Sequence, residues 1–209
     1  LGTEFMTKKE VNRYYPNGLT CYDQIIQDYH RKRWEKGAWT DDTDMMLCIA
    51  NAIIKDKDIK LSTIAQNFKE WFNGEPLGIG NNTFKVLSFK DYTDNPQKGA
   101  EIIWNLSGKK SAANGAVMRT SVIGLWKDDT ERHAAQVCKL THYDPRCVGS
   151  CAIISLLINN LVYRNQILSL KQLIEIGERY DDRIREYLVK ASQYDCLEDL
   201  VLDDSSMGY

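Results

Sequence analysis

Between Arg146 and Arg164 the chain runs for 17 residues without a charged side chain, and CAIISLLI stands inside that run. This length is at the lower limit for a helix that crosses a bilayer. Ser150, Ser155, Asn159 and Asn160 interrupt the run, so its expected surroundings are protein rather than lipid. A second segment, MMLCIANAII at 45–54, has nine apolar residues in ten and is expected to be enclosed on all sides as a central helix. Two such helices need others to cover them, and 209 residues, 43% of them hydrophobic, are enough for one sizeable core.

The remaining pattern is helical. LSTIAQNFKEWF places Leu61, Ile64, Ala65, Phe68 and Phe72 on one face. Comparable segments are expected at 61–73, 82–90, 96–106, 112–126, 130–140, 145–163, 169–180 and 181–200, while strict two-residue alternation is nearly absent. The first 40 residues read as irregular, with a Pro and Gly turn in YYPNGL, except for DQIIQDYHRKRWEKG, which has a helical pattern ending at Gly37. No repeat, low-complexity tract or Pro- or Ser-rich linker is present. The expected fold class is all-α, an irregular multi-helix bundle around the helices at 44–55 and 147–162.

Charge excludes some partners. Lys and Arg total 27 against 29 Asp and Glu, which gives no broad cationic field for nucleic acid or anionic lipid. The short basic run RKRW at 31–34 reads as a solvated helical face. The six cysteines, at 21, 48, 138, 147, 151 and 196, form no CxxC pair. Cys147 and Cys151 lie one helical turn apart with no His cluster to complete a zinc site, so buried reduced thiols in an intracellular, cytoplasmic protein are expected.

Chemistry concentrates in WTDDTDM at 39–45, where Thr40, Asp41, Asp42, Thr43 and Asp44 crowd oxygen-bearing side chains into one turn before the apolar helix. Helix capping explains one of them. Neighbouring carboxylates repel unless a cation or a basic partner intervenes, and hard oxygen ligands suit magnesium, manganese or calcium. The small residues of SAANGAVMR at 111–119 let a backbone approach a ligand before a helix whose amides could face a phosphate; the same run is also an ordinary turn. PLGIGNN at 76–82, with Gly78 and Gly80, reads either as a connection or as a second cleft wall. His142, in LTHYDPR, reads as a cap or surface residue, and His30 and His133 as solvated helix positions. The five tryptophans read as packing residues, with Trp39 at a cleft rim.

Taken in order, WTDDTDMM, PLGIGNN, SAANGAVMR and THYDPR leading into an apolar helix resemble the ADP-ribosylglycohydrolase family. The resemblance implies an all-α fold, a pair of magnesium or manganese ions, and cleavage of the glycosidic bond between ADP-ribose and a protein side chain or small-molecule acceptor. It makes Thr40, Asp41 and Asp42 metal ligands. Ser111, Ala113, Asn114 and Gly115 correspond to the loop that holds the diphosphate, Gly78 and Gly80 to a substrate-facing wall, and His142 to a residue near the nucleotide. LGTEF at 1–5 resembles the end of the family's GDALGxPxE motif, with Glu4 on the functional glutamate, a candidate acid/base or substrate-orienting carboxylate.

The same resemblance implies that 1–209 is a single incomplete domain. The family's N-terminal GDA helix and its C-terminal Gly-Gly-Asp-x-Asp-Thr metal-ligand segment have no counterpart here, and SSMGY at 205–209 resembles the point from which the family continues toward the latter. The expected partners are ADP-ribose or an ADP-ribosylated substrate and another chain supplying the missing helices, with no nucleic acid and no membrane. A non-catalytic ADP-ribose-binding or assembly protein is the alternative.

Overall fold

In the computed structural model, which describes residues 2–195, the regular elements are α1 (Lys8–Tyr14), α2 (Asp41–Asp56), α3 (Leu61–Asn73), α4 (Asn81–Leu87), α5 (Pro96–Leu106), α6 (Gly115–Thr120), α7 (Thr130–Cys138), α8 (Pro145–Arg164), α9 (Leu170–Glu178) and α10 (Arg183–Ala191). Short 3₁₀ turns lie at Tyr22–Gln24, Arg31–Arg33 and Ser121–Leu125. No strand occurs among the described residues, as the all-α reading expects. The expectations for Cys196 and for 205–209 lie outside the described residues.

The main core forms where α2 and α3 meet α4 and α7. Met45, Ile49 and Ala52 from α2 pack with Ile64, Ala65 and Phe68 from α3, Val86 and Leu87 from α4, and Ala134 and Val137 from α7. Each fully buried large side chain contributes about 1.5–3 kcal/mol relative to exposure. Helix α2 is not enclosed on all sides, however: Leu47 is 39% and Ile54 73% exposed. The described residues leave one stripe of that helix open, at Leu47, Asn51, Ile54 and Lys55.

Helix α8 is long and apolar enough to cross a membrane by length and composition; here it packs against α6, α7, α9 and the 121–125 turn. Two of the polar residues that interrupt its run serve this packing. Ser155 Oγ donates to the Thr120 carbonyl at 3.3 Å, and Asn159 Nδ2 donates to the carbonyls of Gly124 and Trp126 at 3.3 and 2.8 Å. Buried carbonyls of an irregular turn need such donors. At the start of α8, Asp144 is the N-cap and Pro145 occupies the first turn. The Asp144 carboxylate accepts from Arg146 N, Nε and Nη2, each at 2.9 Å, and from Trp104 Nε1 at 3.0 Å.

Two expected helices change, and one helix appears where none was expected. Residues 23–37 do not form one: the chain makes 3₁₀ turns at Tyr22–Gln24 and Arg31–Arg33 instead. The reason is Arg31, which is 2% exposed and whose guanidinium draws this segment back onto the carbonyls of Gly2 and Glu4. The expected 112–126 helix divides into a loop, α6 and the 121–125 turn, because that turn sits close against α8 at Gly124. The early region is not irregular throughout, since Thr7 and Glu10 close a capping box over α1. His133 is buried rather than solvated, and Cys21 is exposed, unlike the buried Cys138, Cys147 and Cys151.

Two stability outcomes follow. A Cβ at Gly124 would lie 2.6 Å from Ile158 Cβ and 2.7 Å from the Ser155 carbonyl. Gly124→Ala should therefore lower stability by about 1–3 kcal/mol in a urea titration. Asp144→Asn should cost about 1.5–3 kcal/mol at neutral pH through lost charge-assisted bonds to Arg146. Burial opposes ionisation of Asp144, but the donors from Arg146 and Trp104 outweigh it and hold its carboxyl below its ordinary value. The depressed value means that this contribution is complete above the unfolded carboxyl's pKa of about 4 and is lost as pH falls through the folded one. Denaturation of wild type and variant across that range should show the gap closing.

Candidate functional site

Asp41, Asp42 and Asp44 occupy the first turn of α2, but they are used differently. Asp44 is committed to two indoles: Trp39 Nε1 donates to Oδ1 at 2.8 Å and Trp71 Nε1 to Oδ2 at 3.1 Å. It fixes the direction of the helix start. Thr40 is the N-cap residue by backbone geometry, yet its side chain makes no capping hydrogen bond. Capping therefore does not account for the hydroxyl of Thr40 or for the carboxylates of Asp41 and Asp42.

The other motif segments meet this turn. Gly80 N–H donates to Asp41 Oδ2 at 3.1 Å, which brings PLGIGNN onto the first carboxylate. A Cβ at Gly115 would lie 3.6 Å from Asp42 Oδ1, so the ANG loop stands beside the second. Ser111 Oγ donates to Asn82 Oδ1 at 3.1 Å, and Asn82 Nδ2 donates to the Thr141 carbonyl at 2.8 Å. Cys147 on α8 donates from Sγ to the Ala113 carbonyl at 3.3 Å, holding the 111–114 loop from behind. Asn114 is exposed at the mouth of α6. Gly78 has a different use from Gly80: a Cβ there would lie 3.0 Å from the Trp34 ring, so this glycine admits the indole.

Arg119 and His142 lie underneath. Arg119 is 1% exposed; Nη2 donates to Thr141 Oγ1 and faces His142 Nδ1 at 3.5 Å, while Nη1 reaches Met45 Sδ at 3.5 Å. Its guanidinium lies over the Phe68 ring, 5.2 Å from the centroid, and its Nε has no hydrogen-bond partner among the described residues. His142 is 3% exposed, and burial together with Arg119 holds it well below its ordinary pKa. It is a core residue rather than the expected cap or surface residue, with Nδ1 2.8 Å from Thr141 Oγ1.

Burial is the main reason that Asp41 and Asp42 resist ionisation. It raises the Asp41 carboxyl and, with the Asp41 charge beside it, pushes Asp42 up to about 6. Glu4 acts on both in the same direction, which brings the N-terminal carboxylate into the cluster's field, while Arg119 acts oppositely. Carboxylates held together at this cost are suited to receive a cation. The donors present are hard oxygens, which fit magnesium or manganese. Among the described residues no three His, Cys, Asp or Glu side chains gather in a metal-binding arrangement, so Thr40, Asp41 and Asp42 do not by themselves make up a complete ligand set.

Glu4 is held at both its side chain and its backbone. Its Oε2 lies 3.1 Å from His30 Nε2, and its backbone carbonyl accepts from Arg31 Nη2. The expected solvated basic face at 31–34 is instead a frame: Arg31 and Trp34 are buried, and His30 packs between Phe5 and Trp34. The only sequence signal for this was the aromatic rings that flank the basic run in YHRKRW. A groove of about 650 Å³, lined by Lys127, Arg132, Lys139, Asn159, Arg164 and Tyr180 among others, contains none of the motif residues.

The ADP-ribosylglycohydrolase family profile matches residues 1–207. Over 164 residues the chain is 27% identical to an uncharacterised protein of Archaeoglobus fulgidus, covering 75% of this chain and 51% of the relative. It is 26% identical over 141 residues to the ADP-ribosylarginine hydrolase Tri1 of Serratia proteamaculans, covering 62% and 37%. It is 24% identical over 170 residues to the ADP-ribosyl-dinitrogen reductase glycohydrolase of Rhodospirillum rubrum, covering 76% and 51%. The chain spans about half the length of these curated relatives, or less. A profile match over nearly all of its residues means that this chain belongs to the ADP-ribosylglycohydrolase family.

Proposed function

We propose that this chain carries the ADP-ribose-handling face of a hydrolase that releases ADP-ribose from a protein side chain or small-molecule acceptor. The observation that carries the reading is convergence: Gly80 reaches Asp41 and Gly115 abuts Asp42, from loops 39 and 73 positions further along the chain. Packing alone does not require glycine-rich loops to close on partly buried carboxylates that burial already disfavours.

Thr40, Asp41 and Asp42 are the residues proposed to hold a pair of magnesium or manganese ions in part. Bound there, such ions supply Lewis acidity and a template for the ribose hydroxyls. The chain's own groups do the rest. The 111–115 loop, with Ser111, Ala113, Asn114 and Gly115, offers backbone and hydroxyl donors for the diphosphate. Arg119 keeps the carboxylates from excessive mutual repulsion. Glu4 takes a proton from the attacking water as the bond from the anomeric carbon to the acceptor breaks and positive charge grows on the ribose ring. The acceptor leaves with the bonding electron pair and takes up a proton.

A non-catalytic ADP-ribose-binding relative is the second reading, favoured by the partial ligand set. Two measurements separate the possibilities. With manganese or magnesium present, the protein should release ADP-ribose from ADP-ribosylated arginine, serine or a small-molecule conjugate, and Asp42→Asn should reduce that rate by roughly 10²-fold. Metal-dependent ADP-ribose binding in a calorimeter without turnover of any conjugate would favour the binding reading. Without cation, Asp42→Asn should leave thermal stability at pH 7 equal or higher, because the raised pKa marks a carboxylate that burdens the folded state. A helix cap predicts a loss of about 0.5–2 kcal/mol instead.

A further inference from the structure

The segment that frames Glu4 does more than pack. His30 sits with its ring edge-to-face against Phe5, centroids 5.0 Å apart, and tilted against Trp34 at 5.1 Å. Arg33 lies on the outer side: its guanidinium stacks over the Trp34 ring at 4.5 Å, its Nε donates to the His30 carbonyl at 3.2 Å, and its Nη2 is 2.9 Å from His30 Nδ1. Guanidinium nitrogens only donate. His30 Nδ1 must therefore accept, and the ring proton must sit on Nε2, the nitrogen 3.1 Å from Glu4 Oε2.

The backbone on the other side of Glu4 is fixed as well. Arg31 Nε donates to the Gly2 carbonyl at 2.9 Å and Nη2 to the Glu4 carbonyl, while Asp28 holds Nη1 of the same guanidinium. Phe5, directly after Glu4, has φ +58°. That left-handed conformation is unfavourable for a bulky side chain and persists only where neighbouring contacts hold it. One short stretch, His30 to Trp34, thus fixes both ends of Glu4. The carboxylate remains open to a ligand, because the Glu4 side chain is 33% exposed.

We infer that His30 is a positioning residue for Glu4: Arg33 fixes its Nε2–H tautomer, and Nε2–H holds Glu4 Oε2, leaving Oε1 outside that bond. This rests on the reading of Glu4 as the proton-accepting carboxylate. The arrangement has the logic of a carboxylate and imidazole pair in which one member orients the other and takes no part in bond making.

The test uses two His30 variants and one spectroscopic readout. His30→Phe keeps an aromatic ring between Phe5 and Trp34 but removes the donor; His30→Gln restores a donor at a similar reach. The expected result is a 10- to 100-fold fall in kcat for His30→Phe, a span of about the size seen when outer-shell partners are lost, with KM nearly unchanged and with recovery of most of the rate in His30→Gln. Equal kcat in wild type and His30→Phe overturns the inference. So does equal loss in both variants in proportion to their melting temperatures, since that is a packing effect.

Two-bond proton–nitrogen correlation on protein labelled with ¹⁵N-histidine reads the tautomer without turnover, and His30→Gln assigns the signal among the three histidines. The expected pattern is Nε2–H for His30, moving when Glu4→Ala removes the acceptor and becoming mixed in Arg33→Gln. An Nδ1–H pattern, or indifference to Glu4→Ala, overturns the inference. Should wild type release no ADP-ribose, the hydrolase reading fails, and the tautomer spectrum alone decides whether His30 holds the carboxylate.

Discussion

A buried guanidinium organises this fold. Arg119 is almost fully enclosed, and no carboxylate lies within ion-pair distance of it among the described residues. A desolvated charge of this kind costs several kcal/mol unless something offsets it. Here the offset is distributed: the face of Phe68, the hydroxyl of Thr141, the sulfur of Met45 and the field of Asp41 and Asp42. Each contact belongs to a different segment. Arg119 therefore ties α2, α3, α6 and the 141–142 corner together, and its field and that of the acidic turn partly neutralise one another.

The two aspartates that face the loops differ from the one that does not. Asp44 accepts from two indoles, one on each carboxylate oxygen. Asp41 has one amide, and Asp42 has burial against it and like charges nearby. Burial works against both charges, and the proposed cation would give them a use as acids. The same division appears at the other wall, where Glu4 is fixed by His30 and Arg31 yet left partly open. In contrast, the thiols of α7 and α8 are simply enclosed: burial raises Cys138 and pushes Cys147 up to about 12, which keeps both protonated and inert.

Much of this was legible in the chain. The 3.6-residue period of LSTIAQNFKEWF and the uncharged run before Arg164 place α3 and α8 directly, and the acidic turn stands out by composition. Other features depend on tertiary contacts that no local pattern carries. DQIIQDYHRKRWEKG has helical spacing, but a helix there would take Arg31 away from the carbonyls of Gly2 and Glu4. The division of 112–126 follows from Gly124 meeting α8, which a one-dimensional pattern cannot express. The helix at Lys8–Tyr14 was readable, since Thr7 and Glu10 stand at capping-box spacing. Which aspartate is structural and which is open was not, because it depends on Trp39 and Trp71 arriving from different parts of the chain.

The central claim is that the start of α2, the Gly80 amide and the Gly115 loop form one cation-receiving site. Manganese titration followed by amide line broadening tests it at the level of single residues, because a paramagnetic ion erases signals around the place where it binds. The account predicts early, selective loss of the signals from residues 40–44, Gly80 and Gly115, with those of the 127–139 groove left sharp. Broadening centred elsewhere, or a uniform decline with no focus on that turn, would contradict it.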